Sequence, residues 1–123
     1  MKTVRASNLT RGTIVAETVE VASDPWSRFW GLMGRRDLAA GRGILITPCS
    51  SIHMFFMRFP IDVVYLDPSR RVKRIVGSLK PWRISWCRGA DAVLEAPAGW
   101  AGEAGLGEGA QVVFEDGART DEA

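Results

Sequence analysis

The sequence predicts a mainly β domain of the α+β class, a small antiparallel barrel or sandwich of about seven strands with two short helices. Short runs of apolar residues follow one another along the chain and are divided by Pro, Gly, Asp and Ser, as strands are by their turns. At 123 residues the chain has the length of one ordinary domain. Because most of the predicted strands are joined by short links, an antiparallel sheet is favoured.

The first strand and the first helix follow each other closely. The run TIVAETVEVA (13–22) alternates imperfectly but is rich in β-branched residues, which strands favour. Asp24 can cap the free N–H groups of a helix that starts after it, and Pro25 suits the first helical position because its missing donor costs nothing there. The sequence therefore predicts a strand over 13–22 and a helix from Pro25.

Large apolar side chains follow at helical spacing. They recur three and four residues apart, so they share one face of the predicted helix. They are Trp26, Phe29, Trp30 and Met33. We expect this aromatic stripe to pack on the core. Gly34 is placed to end the helix, because glycine readily adopts the left-handed conformation found after a last helical turn.

Six more strands are predicted downstream, and the segments between them supply turns. The run DPSRR (67–71) predicts a hairpin turn, because Pro68 presets φ and Asp67 can hydrogen-bond its own backbone. The glycine-rich segment 98–110 predicts a short helix in its first half and a left-handed turn before the last strand. The six strands are predicted over 43–47, 51–57, 61–67, 72–79, 91–97 and 110–116.

The domain organisation follows from these elements. We expect a single domain over 12–115, an N-terminal arm over 1–11 and a flexible acidic tail over 116–123. No segment approaches the ~20 apolar residues that a membrane-spanning helix needs. The N-terminus contains no continuous apolar run followed by a cleavage site. These features favour a cytoplasmic location.

Charge and cysteine content argue against several functional classes. Sixteen basic and fourteen acidic residues leave a net charge of +2, far from the concentrated positive field of a nucleic-acid-binding protein. The two cysteines and the one histidine show no CxxC spacing, so we expect no metal site and no cofactor. A disulfide between Cys49 and Cys87 is not supported, because the cytoplasm is reducing.

Four blocks of the chain resemble a known family. They are GLMGRRDL (31–38), GRGILITPC (41–49), SIHMFFMRFPIDVVYLD (51–67) and VLEAPAGWAGEAGLGEGAQVVF (93–114). In this order they resemble the prokaryotic family catalogued as domain of unknown function 192. The resemblance implies a compact, largely β domain with no established activity, in proteins that are often secreted or membrane-anchored. Met54 and Ala96 depart from the Thr and Leu of the family pattern, at no known site.

The only histidine lies in the run CSSIHMFFM (49–57). In an extended strand Cys49 and His53 lie about 13 Å apart, too far for a thiolate–imidazolium pair or a shared metal ion. A four-residue connection over 56–59 would place His53 opposite Asp62, whose carboxylate could orient the imidazole for acid–base work. No nucleophile accompanies them. We expect His53 to be buried on a central strand, and a ligand-contacting or catalytic role stays open.

Two tryptophans alternate with other residues in PWRISWC (81–87). In an extended segment Trp82 and Trp86 lie on one face and Arg83 on the other. The indoles fit core packing, or a platform for a planar ligand or a partner. Pro81 lacks a ladder donor and belongs at an edge. We therefore expect the segment to be exposed and to form the rim of a binding surface.

Three functional hypotheses remain. A noncatalytic domain that binds a small molecule or a polypeptide is favoured. The alternatives are an enzyme that uses His53 with Asp62 or Glu95 as acid and base, and a structural or dimerisation module. We expect no nucleic-acid partner, and a homodimer stays open. The candidate binding residues are His53, Arg58, Asp62, Trp82, Arg83 and Trp86.

Overall fold

The computed structural model describes residues 2–116, which form a mainly β domain with two short helices. This confirms the predicted fold class. A seven-stranded sheet curls into a half-barrel, and a two-stranded sheet packs beside it. The elements are β1 Thr3–Asn8, β2 Thr13–Ala22, α1 Pro25–Trp30, β3 Arg42–Ile46, β4 Ser51–His53, β5 Ile61–Leu66, β6 Val72–Leu79, β7 Ile84–Trp86, β8 Ala92–Pro97, α2 Trp100–Glu103 and β9 Val112–Asp116.

One pair of strands in the large sheet is parallel. The strand order is β6–β5–β8–β3–β2–β1–β9. Neighbouring strands are antiparallel except β2 and β3. The sheet departs from the expected antiparallel arrangement at this pair because residues 23–41 form a connection long enough to carry the chain back to the same end of the sheet.

Side chains alternate between the two faces of the sheet and form two cores. In β5, Ile61, Val63 and Tyr65 face one core, whereas Val64 and Leu66 face the other. The first core is covered by the chain that follows α1 and by the segment around β4, and we call it the α1-side core. The second is covered by α2, and we call it the α2-side core. A buried polar side chain in the sheet therefore faces one core or the other.

The two predicted connections around β5 and β8 are confirmed. β5 and β6 form a hairpin. In its turn, Asp67 Oδ1 accepts hydrogen bonds from the backbone N–H groups of Ser69 at 2.8 Å and Arg71 at 2.9 Å. The short helix predicted in the first half of 98–110 is α2.

The small sheet is attached to the large one through a buried hydroxyl pair. His53 of β4 lies opposite Ile84 of β7. The hydroxyl group of Tyr65, on β5, donates a hydrogen bond to Ser85 Oγ of β7 at 2.9 Å, and both side chains are buried. This bond fixes β7, and with it β4, over the α1-side core.

The strand predicted over 51–57 is shorter than expected. β4 ends at His53, and the chain turns at residues 55–56. Phe56 has a φ of 64°, which a β-strand excludes for an ordinary side chain. The apolar run therefore divides into a short strand and a turn that presents phenylalanine rings at the surface.

The first helix begins as predicted but ends early. Asp24 Oδ1 accepts a hydrogen bond from the backbone N–H of Ser27 at 2.8 Å, which confirms the cap. The helix ends at Trp30, and Gly31 follows it with a φ of 48°. The prediction that Gly34 ends the helix is therefore wrong.

The aromatic stripe of α1 does not pack on the core. Trp26 is 70% exposed, Phe29 61% and Trp30 43%. The prediction was wrong because the helix has only six residues and lies on the surface. Leu32, just beyond the helix, takes the buried position instead. The described chain thus leaves three aromatic side chains of α1 open to solvent.

β1 and β9 lie at the two ends of the described chain. Residues 3–8, which the sequence placed in an arm, form β1 and pair with both β2 and β9. Residue 116 ends β9, and the rest of the expected acidic tail lies outside the described residues. Between residues 2 and 116 there is no helix of the length and apolarity required to cross a membrane.

Candidate functional site

Two carboxyl groups are buried in the large sheet, on opposite faces of it. Asp62 of β5 lies opposite Ala96 of β8, and the next residue, Val63, lies opposite Glu95. Because side chains alternate along a strand, Asp62 faces the α2-side core and Glu95 faces the α1-side core. Asp62 is 2% exposed and Glu95 5%. The two groups are therefore separated by the sheet.

Asp62 is hydrogen-bonded to the backbone. Its carboxylate accepts hydrogen bonds from the N–H groups of Ser78 at 2.9 Å, Gly99 at 3.1 Å and Ala101 at 2.8 Å. These bonds hold the start of α2 and the end of β6 against β5. The pairing of His53 with Asp62 does not form, because β5 pairs only with β6 and β8 in the described chain. The contacts of Asp62 therefore serve to hold the fold together.

A pocket lies over Glu95, between α1 and β4. Its volume is about 80 Å³. Glu95 forms part of its lining on the sheet side, and the facing wall comes from α1 and the residues that follow it. We call it the Glu95 pocket. It is lined by residues 28–33, Ile46, Cys49, residues 51–54, Met57 and Glu95.

The environment of Glu95 favours its neutral form. Burial raises the pKa of Glu95 from 4.5 to about 7 and is the sole cause of the shift. No hydrogen bond or ion pair from residues 2–116 reaches this carboxyl group. Near neutral pH the group is therefore present both as an acid, which donates a hydrogen bond, and as a carboxylate, which accepts one.

Cys49, which also lines the pocket, is not activated as a nucleophile. Its thiol donates to the carbonyl oxygen of Ser51 at 3.0 Å, and burial raises its pKa above the ordinary value. A protonated thiol is a poor nucleophile. The backbone N–H of Cys87 donates to the carbonyl of Ser50 at 2.9 Å, so the two cysteines are close in the fold, and both are free. In residues 2–116 no three His, Cys, Asp or Glu side chains are grouped as a metal site requires.

His53 is exposed at the rim of the Glu95 pocket. The prediction that it is buried on a central strand is wrong, because β4 belongs to the two-stranded sheet outside the half-barrel. The backbone N–H of Phe55 donates to His53 Nδ1 at 3.2 Å, and the two rings stack with centroids 4.9 Å apart. Since Nδ1 accepts this bond, Nε2 carries the proton of the neutral imidazole.

The two tryptophans of the segment 81–87 are accessible to solvent, which confirms the expected exposure, and their role in binding stays a prediction. Trp82 is 59% exposed and Trp86 62%. The ring of Trp82 packs against Phe55 and Phe56, with centroid distances of 5.9 and 5.0 Å. Trp86 lines an open groove of about 250 Å³ that also contains His53. Aromatic rings therefore continue from the pocket across the small sheet.

The arginines around the pocket differ from those expected. Arg58 and Arg83 are exposed and do not line the Glu95 pocket. Arg28 does line it, together with an adjoining open groove of about 340 Å³ that also contains Phe29 and Cys49. The structure therefore brings His53 and Glu95 to one pocket with Arg28, and leaves Asp62 on the opposite side of the sheet.

Sequence reasoning missed most of the pocket lining. Glu95 has a local indication, because it is the one charged residue in the otherwise apolar run AVLEAP, but the sequence favours it only as an alternative partner of His53. Arg28, Met54 and Met57 have none. Their place depends on how the chain around α1 and β4 folds over β8, which no local pattern encodes.

Known proteins share both the sequence and the fold of this chain. A UPF0127 protein of Thermococcus sibiricus is 36% identical over 98 residues, which cover 75% of this chain and 62% of that protein. A UPF0127 protein of Pyrococcus furiosus is 34% identical over 98 residues, covering 75% of this chain and 82% of that protein. The chain thus spans less than two thirds of the length of the Thermococcus relative.

Solved structures show the same fold. A crystal structure of a protein of unknown function from Novosphingobium aromaticivorans matches with a TM-score of 0.77 at 24% identity, covering 90% of this chain and 83% of the other. A crystal structure of a proposed transcription regulator from Sinorhizobium meliloti matches with a TM-score of 0.80 at 27% identity, covering 92% of both chains. The profile of the DUF192 family, described as "uncharacterized ACR", matches residues 6–114. The chain therefore belongs to the DUF192 family.

Proposed function

We propose that this chain is a noncatalytic binding domain whose Glu95 pocket receives a short apolar group bearing an oxygen acceptor, on a small molecule or on a polypeptide. The Glu95 carboxyl group carries the proposal. It is buried, lines the pocket and has no hydrogen-bond partner in the described part of the chain. The Glu95 oxygens are not among the fully enclosed polar atoms of residues 2–116 that lack a partner, so they reach the space of the pocket, where a complementary ligand atom can meet them.

The size and lining of the pocket restrict the ligand. A cavity of about 150 Å³ holds benzene, so the 80 Å³ of the Glu95 pocket fits a short aliphatic chain better than a ring. Leu32, Met54 and Met57 are buried and supply apolar contacts. Methionine side chains adapt to different shapes, so these walls tolerate chains of slightly different form.

The charges around the pocket favour an oxygen acceptor over an ammonium group. Arg28 is exposed at the pocket and attracts anions. The segments 25–36 and 49–60, which form most of the lining, contain no acidic residue. Protonated Glu95 can donate a hydrogen bond to a carboxylate or carbonyl oxygen. The ligand therefore presents its oxygen to Glu95.

We expect n-butyrate to bind in the Glu95 pocket and to bind about tenfold more tightly at pH 6 than at pH 8. The protonated fraction of a group with a pKa of about 7 falls about tenfold between these values, and butyrate itself stays ionised. Backbone amide chemical shifts of residues 28–33 and 51–54, followed during titration, measure both the site and the affinity. n-Butylamine, of the same chain length and opposite charge, is the control and should not bind.

Two variants separate the hydrogen bond from the cavity. Glu95→Gln keeps an N–H donor and should bind butyrate with no dependence on pH between 6 and 8. Glu95→Met keeps the volume without a polar group and should abolish binding. The proposal is wrong if butyrate moves no amide resonance of the pocket, or if n-butylamine binds and its affinity rises with pH.

A second candidate function is an acid–base enzyme, because Glu95, with a pKa of about 7, and His53 line the same pocket. Hydrolysis of p-nitrophenyl butyrate distinguishes the two. An enzyme would turn over this ester and lose turnover in both Glu95→Gln and His53→Ala. The binding domain leaves the rate at the background value, and His53→Ala leaves butyrate affinity unchanged.

A further inference from the structure

We propose that this protein docks on anionic phospholipid surfaces through a cationic aromatic face formed by residues 25–36, 49–60 and 80–90. The inference does not depend on the ligand of the Glu95 pocket. It rests on where the chain places its exposed apolar side chains and its charges. The three segments are distant in sequence, so their joint composition becomes visible only in the fold.

The three segments form one continuous surface. The backbone N–H of Gly34 donates to the carbonyl oxygen of Phe56 at 3.4 Å, which joins the first segment to the second. The N–H of Trp82 donates to the carbonyl of Met54 at 2.8 Å, and the Trp82 ring packs on Phe55 and Phe56. Residues of the first two segments form most of the lining of the Glu95 pocket.

The exposed apolar side chains are concentrated on this face. Ten large apolar residues are exposed in the described chain, and eight of them belong to the three segments. Single exposed apolar residues are ordinary, whereas a cluster of them marks an interaction surface. The eight are Trp26, Phe29, Trp30, Phe55, Phe56, Trp82, Ile84 and Trp86.

The charge of the face is positive on balance, because Asp24, Asp37 and Asp91 adjoin the three segments only at their ends. The three segments contain seven of the sixteen basic residues of the chain and none of the fourteen acidic ones. Sixteen less seven leaves nine basic residues against fourteen acidic ones elsewhere, so the rest of the chain is negative. Of the seven, only Arg35 forms an ion pair within residues 2–116, with Glu20. The basic residues are Arg28, Arg35, Arg36, Arg58, Lys80, Arg83 and Arg88.

Indole rings beside unpaired cations suit an anionic bilayer surface. Tryptophan is favoured at the level of lipid headgroups, where its ring meets apolar chains and its N–H meets water. Lysine and arginine next to such rings are attracted to anionic headgroups. This face would therefore place both kinds of group at the depth that each prefers.

Two other occupants fit the face less well. In a symmetric dimer the face would meet the same positively charged face of a second copy, so the two faces repel each other. Single-stranded nucleic acid stacks on open ring faces, whereas the rings of α1 pack edge to face on one another. Trp26 and Trp30 meet at 66°, and Phe29 and Trp30 meet at 86°.

Co-sedimentation of the full chain with vesicles tests the proposal. We expect binding to phosphatidylcholine vesicles that contain about 30% phosphatidylserine, and none to pure phosphatidylcholine. Binding should weaken at least about tenfold in about 0.5 M NaCl, because salt screens the headgroup attraction. Tryptophan emission should shift to shorter wavelength on binding. Equal binding to both kinds of vesicle, or none to either, would overturn the proposal.

Matched variants assign the binding to the face. Trp26→Ser with Phe29→Ser, and Arg58→Glu with Arg83→Glu, should each lower vesicle affinity at least about tenfold. Leu9→Ser with Ile14→Ser removes the two large apolar residues that are exposed outside the face within residues 2–116, and Arg11→Glu with Arg71→Glu reverses two exposed cations outside it. Both controls should bind as the parent does.

Three outcomes would contradict the assignment. The first is that a control pair loses as much affinity as its test pair. The second is that a single-stranded oligonucleotide binds more tightly than the anionic vesicles and displaces them. The third is that the face variants change the oligomeric state and leave vesicle binding intact. Glu95→Met should bind vesicles like the parent, so failure of the pocket proposal and failure of this one are distinguishable.

Discussion

The free energy of unfolding should fall by about 3 kcal/mol as the pH rises from 4.5 to 7, because of Glu95 alone. Burial raises the pKa of this group from 4.5 to about 7. Each unit of difference between the folded and unfolded pKa corresponds to about 1.4 kcal/mol. Urea denaturation at intervals of pH between 4.5 and 8 measures the effect.

The direction of this dependence follows from proton binding. Between pH 4.5 and 7 the unfolded chain has lost the proton of Glu95, whereas the folded chain keeps it. Stability therefore falls as the pH rises through this window and becomes independent of Glu95 above about 7. Glu20 acts in the opposite direction, because the hydrogen bond from Arg35 lowers its pKa below 4.5. The stability that Glu20 contributes is present above pH 4.5 and is lost only as the pH falls below 4.5.

Glu95→Gln is the matched control, because it keeps the shape of the side chain and does not titrate. In this variant the slope between pH 5 and 7 should disappear, and at pH 8 the variant should be more stable than the parent. A parent protein whose stability is constant across the window would show that Glu95 is ionised in the folded state.

Asp62→Ala should lower the free energy of unfolding by about 4 kcal/mol or more. Asp62 is 2% exposed and accepts hydrogen bonds from three backbone N–H groups. Hydrogen bonds to a charged group contribute about 1.5–3 kcal/mol each, and buried donors that lose their acceptor keep the cost of desolvation. Domains of this size are stable by about 5–15 kcal/mol, so the loss is a large part of the total.

Asp67→Ala is the control for burial. Asp67 also accepts two backbone hydrogen bonds, but in an exposed turn where water can replace the carboxylate, so this change should cost about 1 kcal/mol. If Asp62→Ala does not fold, Asp62→Asn can be measured instead. It retains an acceptor oxygen and should lower the free energy of unfolding by an intermediate amount. Equal losses for Asp62→Ala and Asp67→Ala would contradict the structural role of Asp62.

Local patterns predicted where strands and helices lie better than they predicted which side chains of those elements are buried. The strands over 13–22 and 72–79 and the cap at Asp24 follow from β-branched runs and from short-range hydrogen bonds, which depend on neighbouring residues only. The aromatic stripe of α1 shows the limit. Helical spacing shows that Trp26 and Phe29 share a face, but it does not show whether that face meets the core or the solvent.

The candidate site depended on contacts that a single sequence does not reveal. The apolar run around His53 predicts a central strand, whereas a turn at Phe56 and pairing with β7 place His53 at the surface. Period-two alternation places Asp62 and Glu95 on opposite faces only once β5 and β8 are known to pair in this register. The residues facing Glu95 come from segments some 40 to 70 positions away in the chain, beyond the reach of local patterns.

The most direct test of the binding proposal is the titration of the Glu95 carboxyl carbon by NMR, in the free protein and with n-butyrate. In the free protein we predict a midpoint at pH of about 7. Butyrate should raise this midpoint, because a ligand that accepts a hydrogen bond from Glu95 binds its protonated form preferentially. A midpoint near 4.5 that butyrate does not move would show that Glu95 faces water and that the pocket binds no such ligand.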